Sequence, residues 1–396
     1  MKLVVVSPFF PEISGVGQYG VRVVEGLART RRFTSVHVLA NAQPGAAARE
    51  QRDGLIIERV WGRDRYDSAQ IISDAIRRLR PDVVWFNLGL SIYGRSRVAN
   101  FLGHTAPMQT RLMGVATVVT LHELFEMANL NAIGAANGRL TLWGGAIATR
   151  MILRADAVCL TLKSYARLVK ERYGAQNLLH VPHGAFDPPR FTPLPANKRI
   201  LYFGSHAPYK GLSALIEMYR ELQTADATLR LTIAGSDHPR FPGYFDSMRA
   251  ANIGLPGIEW RPGHPEDQLP ALFESARVVV LPYVATTGAS SVSHRAASHG
   301  RPVVAYSLPD LRVVAAEENL RIEFVPSGDR AAFTTRLKSL LDDPAECERI
   351  GRANVAAMQS HTLDHTCRQY VEIFESVVAR RMAVSQPLID RQGELG

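Results

Sequence analysis

Cysteines, long apolar runs and secretory signals are scarce or missing in this chain of 396 residues. The three cysteines, Cys159, Cys347 and Cys367, are scattered and odd in number, which argues against a disulfide framework and favours reduced thiols. No stretch reaches the roughly 18 consecutive apolar residues of a transmembrane helix. The amino terminus runs directly into KLVVVSPFF, without a basic segment and a small-residue cleavage site. We therefore expect a cytoplasmic protein that is neither secreted nor membrane-spanning.

Patterns that bind metal ions are also missing from the sequence. No Asp-X-Asp sequence occurs, and no spacing of His, Cys and Asp residues suits a metal site. This favours a reaction that uses neither a metal ion nor a bound cofactor.

Positive charge is concentrated in the first half of the chain. The net charge is +9, and residues 1–190 contain 24 Lys and Arg against 14 Asp and Glu, whereas the remainder contains 22 against 23. The first half therefore either contacts something anionic or presents a solvated basic face without a partner. Nucleic acid is not expected, because the arginines of ARTRRF and AIRRLRP lie at helix ends and no basic stripe interleaved with aromatic residues accompanies them.

Two series of short β-rich segments alternate with segments of helical spacing, which predicts an α/β fold with two doubly wound, Rossmann-like domains. The first series reads KLVVVS, SVHVLAN, LIIERVW, DVVWFN, ATVVTLHE, DAVCLTL and LLHVPHG, and the second reads RILYFGS, LRLTIAGS, IEWRP, ARVVVLPY, PVVAYS and IEFVPS. Helical apolar spacing lies between most of them, as in Tyr19 to Ala28 and Ala69 to Leu79. The segment AFDPPRFTPLPANK, with four prolines, separates the two series.

These patterns define the expected boundaries along the chain. They are an amino-terminal domain 1–187, a linker 188–198, a carboxy-terminal domain 199–362, a helix 363–383 that packs back toward the first domain, and a flexible tail 384–396. Ligands of open parallel sheets bind beyond the carboxyl ends of the strands, so two such sheets facing each other create one cleft.

Residues 15–20 read GVGQYG, the glycine pattern of dinucleotide-binding dehydrogenases. That pattern needs its first glycine directly at a strand end and an acid at the end of the next strand. Here PFFPEIS intervenes after Ser7, and SVHVLAN ends in Asn41. The alternative is that Gly15 and Gly17 let a longer loop approach a ligand held by the other domain.

The segment FGSHAPYKGL, residues 203–212, ends a strand and opens a helix whose first turn is expected to hold Lys210 and Gly211. A phosphate loop of the Walker type needs another glycine before the lysine and Ser or Thr after it, and both are absent. A lysine beside helix-terminal amides suits a diphosphate, although a lysine at such a place is often only a surface residue.

The segment from Thr287 to Ser291 is uncharged and rich in hydroxyl groups, and it precedes a helix predicted to end at His299. The amides of Gly288, Ala289, Ser290 and Ser291 would form an anion seat at the positive end of this helix. A carboxylate there would repel a phosphate. A routine capped helix is the simpler explanation.

Polar residues also follow two strands of the first series. In TLHE, His122 and Glu123 point toward the expected cleft, where His122 could orient or deprotonate a hydroxyl or could merely cap the strand. In VPHGAF, His183 and Gly184 precede the linker, where a hinge glycine is an adequate explanation.

Taken in this order, the motifs resemble those of GT-B glycosyltransferases of the family 4 type. The resemblance rests on the glycine loop 14–17, VVTLHE, HVPHG, YFGSHAPYKGL, TIAGS, ESARVVVLPY, HGRPVVAYSLPDL and EFVPSGD. It implies transfer of a sugar from a nucleotide sugar with retention of configuration. It also implies that the donor binds the second domain, through residues such as Gly204, Ser205 and His206, and that the acceptor binds the first, at His122 and Glu123.

The sequence departs from the family pattern at two places. Family members often carry two glutamates eight positions apart, which touch the donor sugar and the ribose, and Thr287 and Arg295 stand at the matching positions. A subset of the family has a Ser/Gly/Thr step instead, and this sequence is closer to that subset. An arginine that usually accompanies the lysine is missing, so the diphosphate would rest on Lys210, helped by Arg295 or His206.

The acceptor is described less clearly by the sequence. Segment 127–153 contains only Arg139 and Arg150 as charged residues, so it forms either an apolar flap over a glycan or lipid-linked glycan acceptor or an ordinary buried helix. If the reaction were inverting, His122 or Glu123 would have to act as a general base. A degenerate GT-B protein that binds nucleotide or glycan without catalysis remains an alternative, whereas sugar-nucleotide epimerisation is disfavoured by the shortage of paired acids.

Overall fold

Two parallel β-sheets, each covered by helices, organise the chain. The structure is a computed structural model, and it describes residues 1–12, 14–125, 138–238, 240–263, 265–285 and 290–385. The predicted fold class, two Rossmann-like α/β domains that face each other, is confirmed. The predicted apolar flap overlaps residues 126–137, and the predicted tail ends in residues 386–396; both ranges lie outside the described residues.

The amino-terminal sheet has eight strands in the order β3-β4-β2-β1-β5-β6-β7-β8. All pairs are parallel except β3 with β4. The strands are β1 Lys2–Val6, β2 Ser35–Asn41, β3 Arg49–Arg52, β4 Leu55–Trp61, β5 Val83–Leu88, β6 Ala116–Leu121, β7 Ala157–Leu160 and β8 Leu178–His180.

Helices follow most strands of this sheet. They are α1 Gly15–Arg29, α2 Ser68–Leu79, α3 Arg97–Gly103, α4 Ala106–Leu112, α5 Arg139–Ile152 and α6 Lys163–Tyr173.

The carboxy-terminal sheet has six strands, all parallel, in the order β11-β10-β9-β12-β13-β14. They are β9 Arg199–His206, β10 Arg230–Asp237, β11 Ile258–Pro262, β12 Val278–Leu281, β13 Val303–Tyr306 and β14 Ile322–Val325. Its helices are α7 Leu212–Ala225, α8 Tyr244–Ala251, α9 Leu269–Glu274, α10 Ser291–Ser298, α11 Pro309–Glu317, α12 Arg330–Asp342 and α13 Pro344–Met358.

Burial on both faces explains the continuous apolar runs that mark these strands. Every residue of β5, VVWFNL, and of β12, VVVL, is buried. Parallel strands covered by helices on both sides have no solvent-facing side, so apolar residues need not alternate with polar ones. Edge strand β3, REQR, is charged and mostly exposed, and its sequence therefore carries no strand signal.

The last helix, α14 Leu363–Ser385, crosses back to the amino-terminal domain. The Tyr370 hydroxyl lies 2.9 Å from the Tyr19 hydroxyl and 2.7 Å from Thr120 Oγ1. The ring of Phe374 packs near Trp85, with ring centroids 6.4 Å apart. The helix thereby completes the apolar core on one side of the amino-terminal sheet.

A second contact joins the domains near the linker. The Glu317 carboxylate, at the end of α11, accepts backbone N–H groups of Lys163 at 2.7 Å and Ser164 at 2.8 Å. These are orphan donors at the first turn of α6, so a residue of one domain caps a helix of the other. In the described part of the chain, no helix has the length and apolar character needed to cross a membrane.

Candidate functional site

A cavity of about 470 Å³ lies between the carboxyl ends of the two sheets. Its lining comes from the loops after β1, β4, β5 and β6 on one side and from the loops after β9, β10 and β12 on the other. We call this cavity the interdomain cleft. The residues that line it and carry the argument below are Gly15, Val16, Arg63, Asp64, Gly94, Arg95, Glu123, Gly204, Ser205, Tyr209, Lys210, Gly235, His238, Arg240, Tyr283, Ser290 and Ser291.

Lys210 reaches the cleft from a short 3₁₀ turn, Pro208–Lys210, between β9 and α7. Gly211 follows with φ of 74°, and a Cβ there would lie 1.9 Å from the carbonyl oxygen of Pro282. Only glycine fits this turn, which therefore fixes where the lysine side chain leaves the backbone. Lys210 was predicted to lie in the first turn of the helix, but α7 begins two residues later, at Leu212.

The Lys210 ammonium lies against aromatic rings. Its Nζ atom is 3.9 Å from the ring centroid of Tyr283 and 5.6 Å from that of Tyr209. Burial lowers the pKa of Lys210 to about 8, although the negative charge of Glu123 acts in the opposite direction. An ammonium in this setting gains strongly from an anion that enters the cleft.

Helix α1 begins at the cleft, and its first residue, Gly15, lines it. Ser14 caps the helix, because its Oγ accepts the backbone N–H of Gly17 at 3.1 Å. Gly17 is buried and does not line the cleft, so the assignment of its amide to the donor is corrected. Around the start of α1, the residues that line the cleft are Ser14, Gly15, Val16 and Gln18.

Helix α10 also begins at the cleft. Ser290 is its N-cap residue and Ser291 its first residue, and both line the cavity. The Ser290 side chain makes no capping hydrogen bond within the chain. The helix ends at Ser298, one residue before the predicted end, and Gly300 with φ of 66° follows it. Thr287, Gly288 and Ala289 lie outside the described residues.

Two glycines at the ends of β9 and β10 leave room for a ligand. Gly204 has φ of 133° and Gly235 has φ of 124°. A Cβ on Gly235 would lie 2.0 Å from the carbonyl oxygen of Gly204, so the two strands approach as only glycine permits. Ser205 follows Gly204 and also lines the cleft.

The structure corrects the assignment of His206 to the donor. Its ring is fully buried inside the carboxy-terminal domain, 4.9 Å from Phe245 and 5.5 Å from Tyr202 between ring centroids. Burial lowers its pKa to about 4. Since residues alternate between faces of a strand, the step from Ser205 to His206 turns the side chain away from the ligand space.

The assignment of Arg295 to the donor is likewise corrected, because Arg295 lies at the hinge and not in the cleft. Its side chain is only 1% exposed. One guanidinium nitrogen donates to Asp187 at 2.9 Å, the other donates to Glu266, and the group lies 5.0 Å from the ring centroid of Phe186. Arg22 of α1 lies 3.7 Å from each of the same two acids. The guanidinium is therefore committed to a network that joins the domains.

His122 lies behind the wall of the cleft. Its Nε2 is 2.6 Å from the Asn87 side-chain oxygen. Because the Asn87 amide nitrogen donates to Ser7 and to the carbonyl of Val16, the histidine ring must donate to the Asn87 oxygen. Burial lowers the pKa of His122 to about 3, which keeps the ring neutral. The assignment of His122 to direct contact with the acceptor is therefore corrected. His122 instead orients Asn87, whose amide donates to the backbone carbonyl of Val16.

Glu123, by contrast, lines the cleft as expected. Its Oε2 accepts the backbone N–H of Leu90 at 3.1 Å, which joins the loops after β6 and β5. Burial and then the Glu123 charge raise the pKa of Tyr209 to about 12, and the same charge opposes the lowering of the Lys210 pKa by burial. All three residues line the cleft.

Sequence reasoning missed several residues that line the cleft. Arg63 and Asp64 follow β4, Arg95 follows β5, and His238 and Arg240 follow β10. The signal was available, because each lies in a loop that follows the carboxyl end of a predicted strand. The His238 Nδ1 accepts the backbone N–H of Arg240 at 3.2 Å. Burial, together with the positive charges of Lys210, Arg240 and Arg63, lowers the pKa of His238 to about 4.

The described residues contain neither the glycine and acid arrangement of a dinucleotide site nor a group of metal ligands. Gly15 opens α1 only after a loop, and Asn41 donates to Glu12 at 2.6 Å where a dehydrogenase would present an acid. Among these residues, no three His, Cys, Asp or Glu side chains are grouped as metal ligands.

Two family models match the chain in succession. The model described as Glycosyltransferase Family 4 matches residues 13–190, and the model described as Glycosyl transferases group 1 matches residues 197–343. The D-inositol 3-phosphate glycosyltransferase of Streptomyces avermitilis is 36% identical over 107 residues, a match that spans 26% of this chain and 22% of that enzyme.

Solved structures share the whole two-domain architecture. Sucrose-phosphate synthase from Thermosynechococcus elongatus has a TM-score of 0.75 at 15% identity, with 96% of this chain and 100% of that chain covered. HepE from Anabaena in complex with UDP-glucose has a TM-score of 0.70 at 15% identity, with 95% and 100% covered. At these identities the likeness shows the fold.

Proposed function

Because the chain belongs to the GT-B glycosyltransferases of the family 4 type, we propose that it transfers a hexose from a UDP- or GDP-linked sugar to a glycan or lipid-linked glycan. The product would serve cell-surface polysaccharide or glycoconjugate synthesis. The observation that carries the proposal is the position of the Lys210 ammonium, in the same cleft as the amino ends of α1 and α10. The likeness to HepE, whose structure contains UDP-glucose, supports a nucleotide-sugar donor.

Charge development explains why these groups would accelerate the reaction. When a nucleoside diphosphate leaves the anomeric carbon, negative charge grows on the β-phosphate while the sugar becomes oxocarbenium-like. Lys210 and the amides at the start of α10 would bind that charge more strongly in the transition state than in the bound donor. Gly15 would bring the start of α1 against the phosphates from the other domain. No metal ion is needed in this scheme.

The acceptor would attack the sugar from the amino-terminal side of the cleft. In a retaining reaction its hydroxyl attacks on the face that the diphosphate leaves, and the leaving phosphate takes the proton. Glu123, a carboxylate on that wall, would hold acceptor hydroxyls, and in an inverting reaction it would be the general base. NMR analysis of the anomeric configuration of the product distinguishes the two.

A nucleotide panel tests the donor half of the proposal. Thermal unfolding measured with UDP, GDP, ADP and dTDP should show a raised melting temperature with UDP or GDP only. The absence of a shift with all four would contradict the proposal.

Substitution of Lys210 tests the assigned role. Lys210→Ala should lower kcat/KM about 100-fold, which corresponds to about 3 kcal/mol of transition-state stabilisation. Lys338→Ala is the matched control, because Lys338 lies on α12, pairs with Asp342 at 2.6 Å and does not line the cleft. Near-normal turnover by Lys210→Ala would remove the assignment.

A second candidate function is nucleotide or glycan binding without catalysis. It is favoured by Arg295, which occupies the position of a family glutamate and is committed to the hinge. Incubation with UDP-glucose and GDP-mannose distinguishes the candidates, because any enzyme-dependent release of UDP or GDP rejects a pure binding role.

Helix α5 supports peripheral contact with an anionic membrane at the inner face of the cell membrane. Its Leu142 and Trp143 are 48% and 68% exposed, and Arg139 and Arg150 on the same helix are also exposed. Flotation with phosphatidylglycerol vesicles at low salt should recover the protein in the lipid fraction, and Trp143→Ser should weaken recovery. Equal flotation with neutral vesicles, or none, would contradict the contact.

A further inference from the structure

Three arginines that the donor scheme does not use line the interdomain cleft. Arg63 and Arg95 belong to the amino-terminal domain, in the loops that follow β4 and β5, and Arg240 belongs to the carboxy-terminal loop after β10. Each guanidinium offers a planar set of N–H donors that matches the oxygens of a phosphate group.

Asp64 brings the two amino-terminal arginines onto one rim. Its Oδ1 accepts the backbone N–H of Ser96 at 2.6 Å. Gly94 has φ of 119°, and a Cβ there would lie 2.4 Å from the same Asp64 oxygen. Arg63 precedes Asp64 in the chain, and Arg95 lies between the two residues that Asp64 contacts. The two arginines therefore start from neighbouring points of a joined pair of loops.

A buried acid orients Arg63 within this pair of loops. Arg63 Nη2 donates to Glu12 Oε1 at 2.5 Å, and Glu12 Oε2 accepts a hydrogen bond from the side-chain amide of Asn41 at 2.6 Å. The Glu12 carboxylate is only 13% exposed. The contact with Glu12 holds one edge of the Arg63 guanidinium and fixes its position at the cleft wall.

Arg240 faces the same space from the other domain. Its backbone N–H donates to His238 Nδ1 at 3.2 Å, and both residues line the cleft together with Arg63 and Lys210. Basic side chains from both domains therefore line the same cavity.

We propose that Arg63, Arg95 and Arg240 form a subsite for a phosphate group carried by the acceptor. The inference rests on the proposed function and narrows its substrate class to acceptors that bear a phosphate. The phosphate could be an ester on a soluble sugar or the diphosphate of a lipid-linked sugar, because both offer the same oxygens to the arginines.

Titration calorimetry on protein saturated with UDP or GDP, whichever binds, tests the subsite. Inorganic phosphate, glucose 6-phosphate and glucose are the probes, and we expect the first two to bind and glucose to bind at least about tenfold more weakly. Arg63→Gln, Arg95→Gln and Arg240→Gln should each weaken phosphate binding about tenfold or more, with nucleotide affinity changed less than about twofold.

Matched controls lie two residues along the chain. Arg65 pairs with Asp67 at the surface and Arg97 donates to Thr141 at 2.7 Å, and neither lines the cleft. Arg65→Gln and Arg97→Gln should leave phosphate binding unchanged. A matched pair of acceptor assays, with glucose 6-phosphate and with a short-chain prenyl diphosphate hexose, then distinguishes the soluble from the lipid-linked source.

The outcomes separate this inference from the proposed function. If no nucleotide binds, the proposed function fails. If nucleotide binds while phosphate does not, or phosphate only competes with it, the subsite is rejected and the donor site stands. If the arginine variants weaken nucleotide binding instead of phosphate binding, the arginines belong to the donor and the inference is overturned.

Discussion

Lys210 combines partial exposure to the cleft with a lowered pKa, and this makes donor binding depend on pH. Burial lowers its pKa to about 8 in the free protein, and a bound diphosphate would raise it again. Below about pH 8 the ammonium is already charged. Above that pH, binding must recruit a proton, so the Kd for UDP or GDP should rise about tenfold per pH unit.

Calorimetric titration with the nucleotide from about pH 7 to pH 10 measures this dependence. Lys210→Arg is the control, because its guanidinium stays charged over the whole range and should flatten the profile. A wild-type Kd that stays constant to pH 10 would show that the ammonium does not meet the diphosphate.

His206 should affect stability and not ligand binding. Burial lowers its pKa to about 4 from an ordinary value of 6.5, so between these values the unfolded chain binds a proton that the native protein does not. Stability therefore falls as the pH drops through this window, by about 2 kcal/mol at pH 5 for this residue.

Denaturant unfolding of His206→Phe at pH 7 and pH 5 checks the sign. The variant should lose about 2 kcal/mol less than wild type on acidification, with unchanged UDP or GDP affinity. An equal acid loss in both proteins would show that the ring titrates normally.

At this scale the sequence predicted some of the loops that reach the cleft, but it missed those after β4, β5 and β10 and did not show which side chains enter the cleft. Lys210, Glu123 and Ser291 could be assigned because they follow strand ends. His206, Arg295 and His122 could not, since strand alternation and helix phase decide whether a polar side chain faces the ligand or the interior. Gly17 was misassigned for a different reason, because its amide is consumed by the Ser14 cap.

The packing of α14 on α1 depends on a glycine. A Cβ on Gly26 would lie 2.4 Å from the Cys367 sulfur of α14, so Gly26→Ala should push the helices apart and cost about 1–3 kcal/mol. Gly144 of α5 is the matched control, because a Cβ there meets no atom of the described residues within 4 Å. Gly144→Ala should be neutral or stabilising by up to about 1 kcal/mol. Thermal unfolding that ranks the two variants in the opposite order would contradict the packing.

The elements themselves were largely predictable. Seven of the amino-terminal strands and all six carboxy-terminal strands coincide with segments that the sequence predicts as strands. Most of these segments are apolar, because burial on both faces of a parallel sheet requires such runs, whereas β8 and β11 are only partly buried. Strand β3 was not predicted, because its four residues are polar and pair only with the neighbouring β4. The helix predicted over residues 363–383 corresponds to α14, Leu363–Ser385.

The hinge network should stabilise the whole molecule without contributing to the donor site. Arg295→Met would leave the buried carboxylate of Asp187 with weaker partners, so we expect a loss of about 3 kcal/mol. Arg77→Met is the control, because Arg77 and its partner Asp74 are both more than half exposed and their pair contributes under about 1 kcal/mol. Nucleotide affinity of folded Arg295→Met should match wild type; a large loss of affinity with normal stability would return Arg295 to the donor site.

The relation between the domains was the hardest feature to derive from sequence. The linker and the returning helix were expected, but the Glu317 cap on α6 and the Arg22 contacts join residues more than 150 positions apart. Such contacts leave no local pattern, because each partner has an ordinary surface sequence of its own.

A crystal structure with UDP or GDP bound tests the central claim most directly. We expect a β-phosphate oxygen about 3 Å from Lys210 Nζ, at the amino end of α10 and facing Gly15 across the cleft. A diphosphate bound away from Lys210, or a nucleotide found outside the space between the two sheets, would contradict the account.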